Sequence, residues 1–348
     1  MFQPPVKRPR QYAALSMPMR VVRMSVLIIG CGDIGLRITS LMPHGVRLLA
    51  LSSDAGRVAG LRSRGIVPLT GNLDLPSTLR RLAALATRVL YLAPPPAQGS
   101  TDPRLLALVR CLRRHVSVMS VLPRAVTLVY ASTSGVYGDC CGDAVTETRP
   151  PQPTSDRARR RMDAEHTLRT YGRQRGVRCT ILRIPGIYAP DRPGGTPRDR
   201  LLQGTPTLQT ADDVFSNHIH ADDLARACIA ALWRGQPQRV YHVNDDSHLL
   251  MGDYFDLAAD LYGLARPPRL SRHDAQRQLS PMQMSFMSES RRMDNTRLKT
   301  ELRLRLRYPT VAQGLNARPK TPKTQNPKPK TQNPRDLSCG VHGRVRHT

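Results

Sequence analysis

The sequence predicts an α/β protein built on a doubly wound parallel sheet, with a smaller C-terminal lobe, and three observations predict it. The run Val26 to Ile29 is continuously apolar, as a strand buried on both faces is. It leads directly into Gly30, Gly32 and Gly35, so that residues 25–35 read S-V-L-I-I-G-C-G-D-I-G. Beyond it, strand-like and helix-like stretches keep alternating, the order expected of parallel strands joined by helical crossovers.

The glycine spacing is G-x-G-x-x-G. After a strand and before a helix, the first glycine permits a tight turn and the second lets a pyrophosphate approach the backbone. The third lets helix and strand pack closely. Gly30, Gly32, Asp33, Ile34 and Gly35 are therefore expected to hold a dinucleotide at the N-terminus of the helix, where unpaired N–H groups and the helix dipole favour an anion. The sheet is of Rossmann type on this reading.

A length of 348 residues suffices for one large domain or two small ones. The apolar runs are too short to span a bilayer, and no membrane partner is expected. Seven cysteines without a C-x-x-C, two of them adjacent at Cys140 and Cys141, suit a reducing cytoplasm and neither disulfides nor a metal site. Of the formal net charge of +27, residues 1–24 carry five and residues 313–348 carry seven. The other fifteen are spread through expected helices and are almost all arginine, with Lys299 as the only lysine. Nucleic-acid binders gather such charge on one face or stripe, so nucleic acid is not the partner expected.

The elements follow in order. Residues 1–23 lack acidic residues and an apolar signal core, and read as a disordered extension, or as an over-long start with Met24 as the true beginning, with a transit-like segment as the alternative. A helix from Leu36 to about Met42 is followed by a strand from Val46 to Leu51. The tip of that strand selects the cofactor: NAD wants a carboxylate there, NADP small or basic residues. Ser52 and Ser53 occupy the tip and Arg57 lies one turn on, which leans to NADP; Asp54, close by, leaves NAD open. A helix from Ala55 to Arg64, a strand from Ile66 to Leu69, a helix from Ser77 to Leu85 and a strand from Arg88 to Ala93 come next. Ala93-Pro94-Pro95-Pro96 then holds an extended loop over the carboxyl end of the sheet, where ligands of such sheets bind. A helix from Pro103 to Arg114 leads to a strand from Val126 to Ala131, and the hydroxyls of Ser132 and Thr133 are expected to point into the crevice.

Residues 132–138 read S-T-S-G-V-Y-G. With the glycine turn, this segment resembles the short-chain dehydrogenase/reductase superfamily in its extended epimerase/dehydratase branch, whose pattern is S-T-x-x-V-Y-G. The likeness extends over roughly residues 25–312. Asn72-Leu73 resembles the segment flanking the adenine, residues 181–190 the L-R-x-x-x-x-Y-G-P segment, and residues 217–223 the I-H-V-D-D turn. The resemblance implies an NAD(P)-binding oxidoreductase or epimerase/dehydratase-like enzyme acting on a hydroxyl- or carbonyl-bearing small molecule. It places Thr133 at the active-site Ser/Thr position and adds Asn72, Leu73, Ala93 and Pro94 to the cofactor residues.

One departure matters. The family's Y-x-x-x-K falls, when aligned on Glu165, at Arg157 and Arg161. Arginine stays protonated and cannot exchange a proton as a tyrosine does, although Arg161 can keep the charge beside the ribose. The chain therefore resembles the atypical group that has lost this motif. Tyr188 and Tyr137 are the candidate replacement acids, each weighed against plain packing. A dinucleotide-sensing protein without catalysis is the alternative, and a basic nucleic-acid binder on the same fold a second one.

Residues 24–175 are expected to form the dinucleotide-binding domain and 176–317 the remaining sheet strand and substrate lobe. The partner is a small molecule, with a homodimer allowed. In the lobe, Arg192, Arg198 and Arg200 sit in a Pro- and Gly-rich loop and read either as a solvated face or as groups that meet an anionic substrate; helices run from Asp222 to Trp233 and from Gly252 to Leu264, and a final strand is expected near Arg307 and Tyr308. Residues 318–348, with Pro-Lys-Thr-Gln-Asn-Pro at 322–327 and again at 329–334, read as a disordered basic tail.

Overall fold

Seven parallel strands form the central sheet of the computed structural model, which describes residues 24–85, 87–116 and 126–317. They are β1 (Ser25–Ile29), β2 (Arg47–Ser52), β3 (Val67–Thr70), β4 (Arg88–Tyr91), β5 (Thr127–Thr133), β6 (Arg178–Ile184) and β7 (Arg239–His242), in the order 7-6-5-4-1-2-3. The chain winds outward from β1 through β2 and β3, then returns to place β4 on the other side of β1. This reversal opens a crevice at the carboxyl ends of β1 and β4, the place where open sheets of this kind take ligands. The expectations for the N-terminal extension and the basic tail lie outside the described residues.

Strand pleating explains the unbroken apolar run that opens the fold. Val26 and Ile28 point to one face and Leu27 and Ile29 to the other, and all four are fully buried. One face is covered by α1 (Asp33–Leu41) through Ile38 and by α5 (Ala221–Arg234) through Leu224, Ala227, Cys228 and Ala231. The other packs against α3 (Pro103–Val116) through Leu105, Leu108 and Leu112, and against α4 (Asp156–Arg175) through Ala164, Leu168 and Tyr171. Ser155 caps α4 by accepting the Ala158 N–H, and Gly176 ends it in the left-handed conformation. The short α2 (Arg57–Arg62) lies between β2 and β3. A satellite core gathers Tyr188, Leu201, Tyr254, Phe255, Val311 and Leu315 around α6 (Met251–Tyr262). No helix among the described residues is long and apolar enough to cross a membrane.

Three elements differ from expectation. The first helix begins at Asp33, directly after the second glycine, and takes in Gly35, rather than beginning at Leu36. Residues 76–84 wind as a 3-10 helix, not an α-helix. No strand forms at Arg307 and Tyr308, because the Asp223 carboxylate at the start of α5 accepts both of their N–H groups, at 2.9–3.0 Å, and a sheet partner is not needed.

The tightest backbone approach is at the first glycine. Gly30 has φ +85°, and a Cβ there would lie 2.5 Å from the Ala93 nitrogen on the neighbouring strand end. Gly30→Ala is expected to destabilise the fold by about 2–5 kcal/mol, from overpacking against backbone and a left-handed conformation. Urea unfolding of the two proteins measures this, and a loss under 1 kcal/mol would contradict the contact.

Candidate functional site

Two cavities meet at the carboxyl edge of the sheet. The smaller, about 320 Å³, is lined by Gly30, Gly32, Asp33, Ile34 and Gly35 on one side and by Arg192, from the stretch after β6, on the other. The larger, about 760 Å³, runs from Pro94–Pro96 across Gly135 to His218, Tyr254 and Phe255. Thr133, Arg161, Pro185 and Ile187 line both.

At the glycine turn, no side chain caps α1, so its first N–H groups are left for a ligand. A Cβ on Gly32 would meet nothing within 4 Å, leaving room for a group to approach the backbone. Asp33 begins the helix, where its carboxylate pairs with Arg37 at 3.0 Å and Arg192 at 3.5 Å. Arg37 also holds Asp191 and Asp222, each at 2.7 Å, so α1, α5 and the loop between are joined at this rim.

At the tip of β2 the Ser52 hydroxyl closes a local turn with the backbone of Asp54. The Asp54 carboxylate accepts the Gly56 N–H at 2.8 Å, and Ser53 is exposed. Arg57 reaches back to donate to the Cys31 carbonyl inside the glycine turn. Asn72 is spent on its own turn, accepting from Asp74 N through its side chain, and Leu73 packs against the core. Neither Ser52, Ser53, Asn72 nor Leu73 lines the smaller cavity. Ala93 is buried beneath the turn, and the Pro94 carbonyl accepts from Arg104.

At the end of β5 the expectation for the two hydroxyls divides. Ser132 does not offer its hydroxyl to the crevice; it donates to Glu165 Oε1 at 2.6 Å inside the protein. Strand alternation turns the next residue the other way, and Thr133 lines both cavities. Thr133 Oγ1 accepts the Gly135 N–H at 3.3 Å, which leaves its own hydrogen free to donate.

Arg161 is held by the Ala131 carbonyl at 2.7 Å and the Tyr130 hydroxyl at 3.2 Å, beside Thr133. Arg157, one turn earlier, is exposed and lies over the Phe286 ring at 4.9 Å. The tyrosines are otherwise engaged. Tyr137 is buried, accepts from Arg183 and contacts His242, and burial pushes it up to about 12. Tyr188 is buried, its hydroxyl directed to Asp245 and the Thr310 carbonyl, and burial raises its pKa. Of the loop arginines, Arg200 lines the cleft instead of facing solvent, while Arg198 is exposed. Sequence reasoning passed over Glu289 and Arg291, which pair at 2.8 Å and line the cleft from a late segment carrying no motif.

The Asp245 carboxyl beneath Tyr188 is fully buried, and desolvation pushes it up to about 8. The native state therefore keeps a proton that the unfolded chain has already released, so this contribution to stability fades as pH rises toward 8. Between pH 6.5 and 8, unfolding free energy is expected to fall by up to about 1.4 kcal/mol per unit. Asp245→Asn, which keeps the bond from Ser247 N, removes that slope; urea titrations at the two pH values read it, and equal slopes would refute the assignment.

The model of the NAD dependent epimerase/dehydratase family matches residues 26–244. Among solved structures, a functionally unknown conserved protein from Silicibacter pomeroyi is 30% identical with a TM-score of 0.70, over 84% of this chain and 96% of that one. UDP-glucuronic acid 4-epimerase from Bacillus cereus, in complex with NAD, has a TM-score of 0.65 at 17% identity over 84% and 96%. dTDP-glucose 4,6-dehydratase from Bacillus anthracis, in complex with NAD, has 0.66 at 15% over 84% and 94%. At those identities the two enzymes share the fold with this chain. No curated protein matches the chain. A parallel seven-stranded sheet, a glycine turn under an uncapped helix and a match across most of the described residues lead to one conclusion: the chain belongs to the NAD dependent epimerase/dehydratase family.

Proposed function

We propose that this chain binds NADP(H) or NAD(H) along the glycine turn and exchanges hydride with a hydroxyl- or carbonyl-bearing carbon of a small molecule held in the cleft. The observation that carries this reading is the shared wall of the two cavities. A dinucleotide whose phosphates rest on Gly32 and the start of α1 would end beside Thr133 and Arg161, where the cleft begins.

A bound nicotinamide supplies the hydride acceptor or donor. Thr133 donates its free hydrogen to the substrate oxygen, and Arg161 holds a fixed positive charge beside it. Glu289 is the only carboxylate among the described residues lining the cleft, and is the group available to take or return the oxygen's proton. For the cofactor, Arg57 at the glycine turn supports NADP, while one oxygen of the Asp54 carboxylate is engaged by Gly56 N. The neighbours named as UDP- and dTDP-sugar enzymes make nucleotide sugars the first substrates to test. A reducing, cytoplasmic setting goes with this reading, supported by six free cysteines among the described residues.

A second reading, a dinucleotide sensor without turnover, is favoured by Arg157 in the place where the family's tyrosine stands and by the buried, bonded state of Tyr130, Tyr137 and Tyr188.

Titration with NADPH and NADH, followed by nicotinamide fluorescence, tests the site. NADPH is expected to bind more tightly, and Arg57→Met to weaken it about 10–100-fold while leaving NADH nearly unchanged, the value of one charge-assisted bond. Absence of binding by either cofactor would overturn both readings. With UDP-glucose, UDP-glucuronic acid and dTDP-glucose as substrates, Thr133→Val is expected to lower kcat/KM about 10-fold or more if turnover occurs. Cofactor binding without turnover on a broad panel of sugars, ketones and aldehydes favours the sensor.

A further inference from the structure

The far wall of the cleft, on the second lobe, holds a cation that the fold leaves uncompensated. Arg200 projects from the short helix Arg198–Leu202, with its guanidinium 4.5 Å from the centroid of the Phe255 ring. Its Nε and Nη2, the edge used for two-pronged binding of an oxyanion, are buried and without a hydrogen-bond partner. Four other buried or cleft arginines each hold at least one internal acceptor, although Nε of Arg160 and of Arg291 is, like that of Arg200, buried without a partner. Arg183 pairs with Glu165, Arg291 with Glu289 and the Gly138 carbonyl, Arg160 donates to the Gly99 carbonyl and Arg161 to that of Ala131. Arg269, on the same lobe, meets Asp213, Asp253 and Asp256.

Two more polar groups lie at the same wall. His218, only 8% exposed, has a buried Nδ1 that finds no partner, and its ring stacks 4.1 Å from that of Tyr254. Desolvation pushes His218 down to about 4, so it is neutral at physiological pH and can present an N–H. The Tyr254 hydroxyl makes no hydrogen bond within the described residues. All three side chains line the cleft. Each can donate, and a ligand with only acceptors suits all three. A buried cation without a counter-charge is costly, and a neutral hydroxyl does not remove that cost.

We propose that Arg200, His218 and Tyr254 form a receptor for an oxyanion, the carboxylate or phosphoryl group of the substrate that enters the cleft. The inference rests on the reading of the cleft as a substrate site and gives that substrate a charged end, set in the second lobe and away from the glycine turn. It also makes Arg200 a specificity-determining residue.

The test is thermal unfolding of the full chain with inorganic phosphate or malonate, at constant ionic strength against chloride. Either anion is expected to raise the Tm of the natural protein in a saturable manner. Arg200→Met keeps an apolar contact with Phe255 and removes the unpaired charge. It is expected to melt at the same temperature or higher without anion, and to lose the anion response at least tenfold in apparent affinity. Tyr254→Phe is expected to weaken the response with an unchanged baseline. A response to phosphate alone assigns a phosphoryl group, and one to malonate alone a carboxylate. A lower baseline Tm in Arg200→Met with the anion response intact would overturn the proposal, because the arginine would then be a packing residue. So would a natural protein that responds to neither anion. NADPH titration of the same two proteins separates the readings: NADPH binding without an anion response removes the receptor alone, and an anion response without NADPH binding removes the dinucleotide site alone.

Discussion

One buried carboxylate joins the parts on which the cleft is built. Glu165, in the middle of α4, accepts from Ser132 at the end of β5 and takes both Nε and Nη2 of Arg183 in β6. Arg183 passes its remaining nitrogen to the Tyr137 hydroxyl, which in turn contacts His242 in β7. Three adjacent strands and a helix are thus tied through side chains as well as through the sheet. Removing one partner of such a buried pair typically costs about 3–5 kcal/mol, because it leaves the other charge unpaired. Thr133 follows Ser132 directly, and Arg161 stands one helical turn before Glu165. The positions of both are therefore set by a pair of charges that never meets solvent.

The cleft handles its positive charge in a different manner. Carboxylates are scarce there, and aromatic rings take their place. Arg157 lies over Phe286, Arg161 over Tyr130 and Arg200 over Phe255, at 4.9, 5.7 and 4.5 Å. Arg292 covers Phe215, another ring lining the cleft, in the same way at 5.1 Å. Every phenylalanine of the described residues thus underlies an arginine, in a chain with four phenylalanines in all. A ring face attracts a guanidinium without neutralising it. The arginines are held in place and keep their charge available.

Much of this could be read from the residues in order. The glycine spacing fixed the turn because each glycine answers a local steric need, and Gly30 against Ala93 is the clearest case. The Ser132 to Gly138 segment was recognisable for the same reason, though strand parity should have separated Ser132 from Thr133. Groups brought together over long separations were not legible. Glu289 and Arg291 carry no motif and enter the cleft only because residues 292–293 pair with 144–145 across the fold. The absent last strand depended on Asp223, whose carboxylate satisfies backbone groups more than eighty positions later. Arg200 read as one of three loop charges, open to solvent or to an anionic substrate, and only the packing against Phe255 in α6 separates it from the others.

The rim of the glycine turn carries a consequence for variation. Arg37 is shared by Asp33, Asp191 and Asp222, which come from three separate parts of the chain. Residues that share one partner do not contribute independently, and their effects on stability do not add. Losing any one acid changes what the other two are worth, and losing Arg37 leaves three negative charges facing one another. These four positions therefore behave as one heritable unit, in which a change at one is tolerated according to what the others have already become.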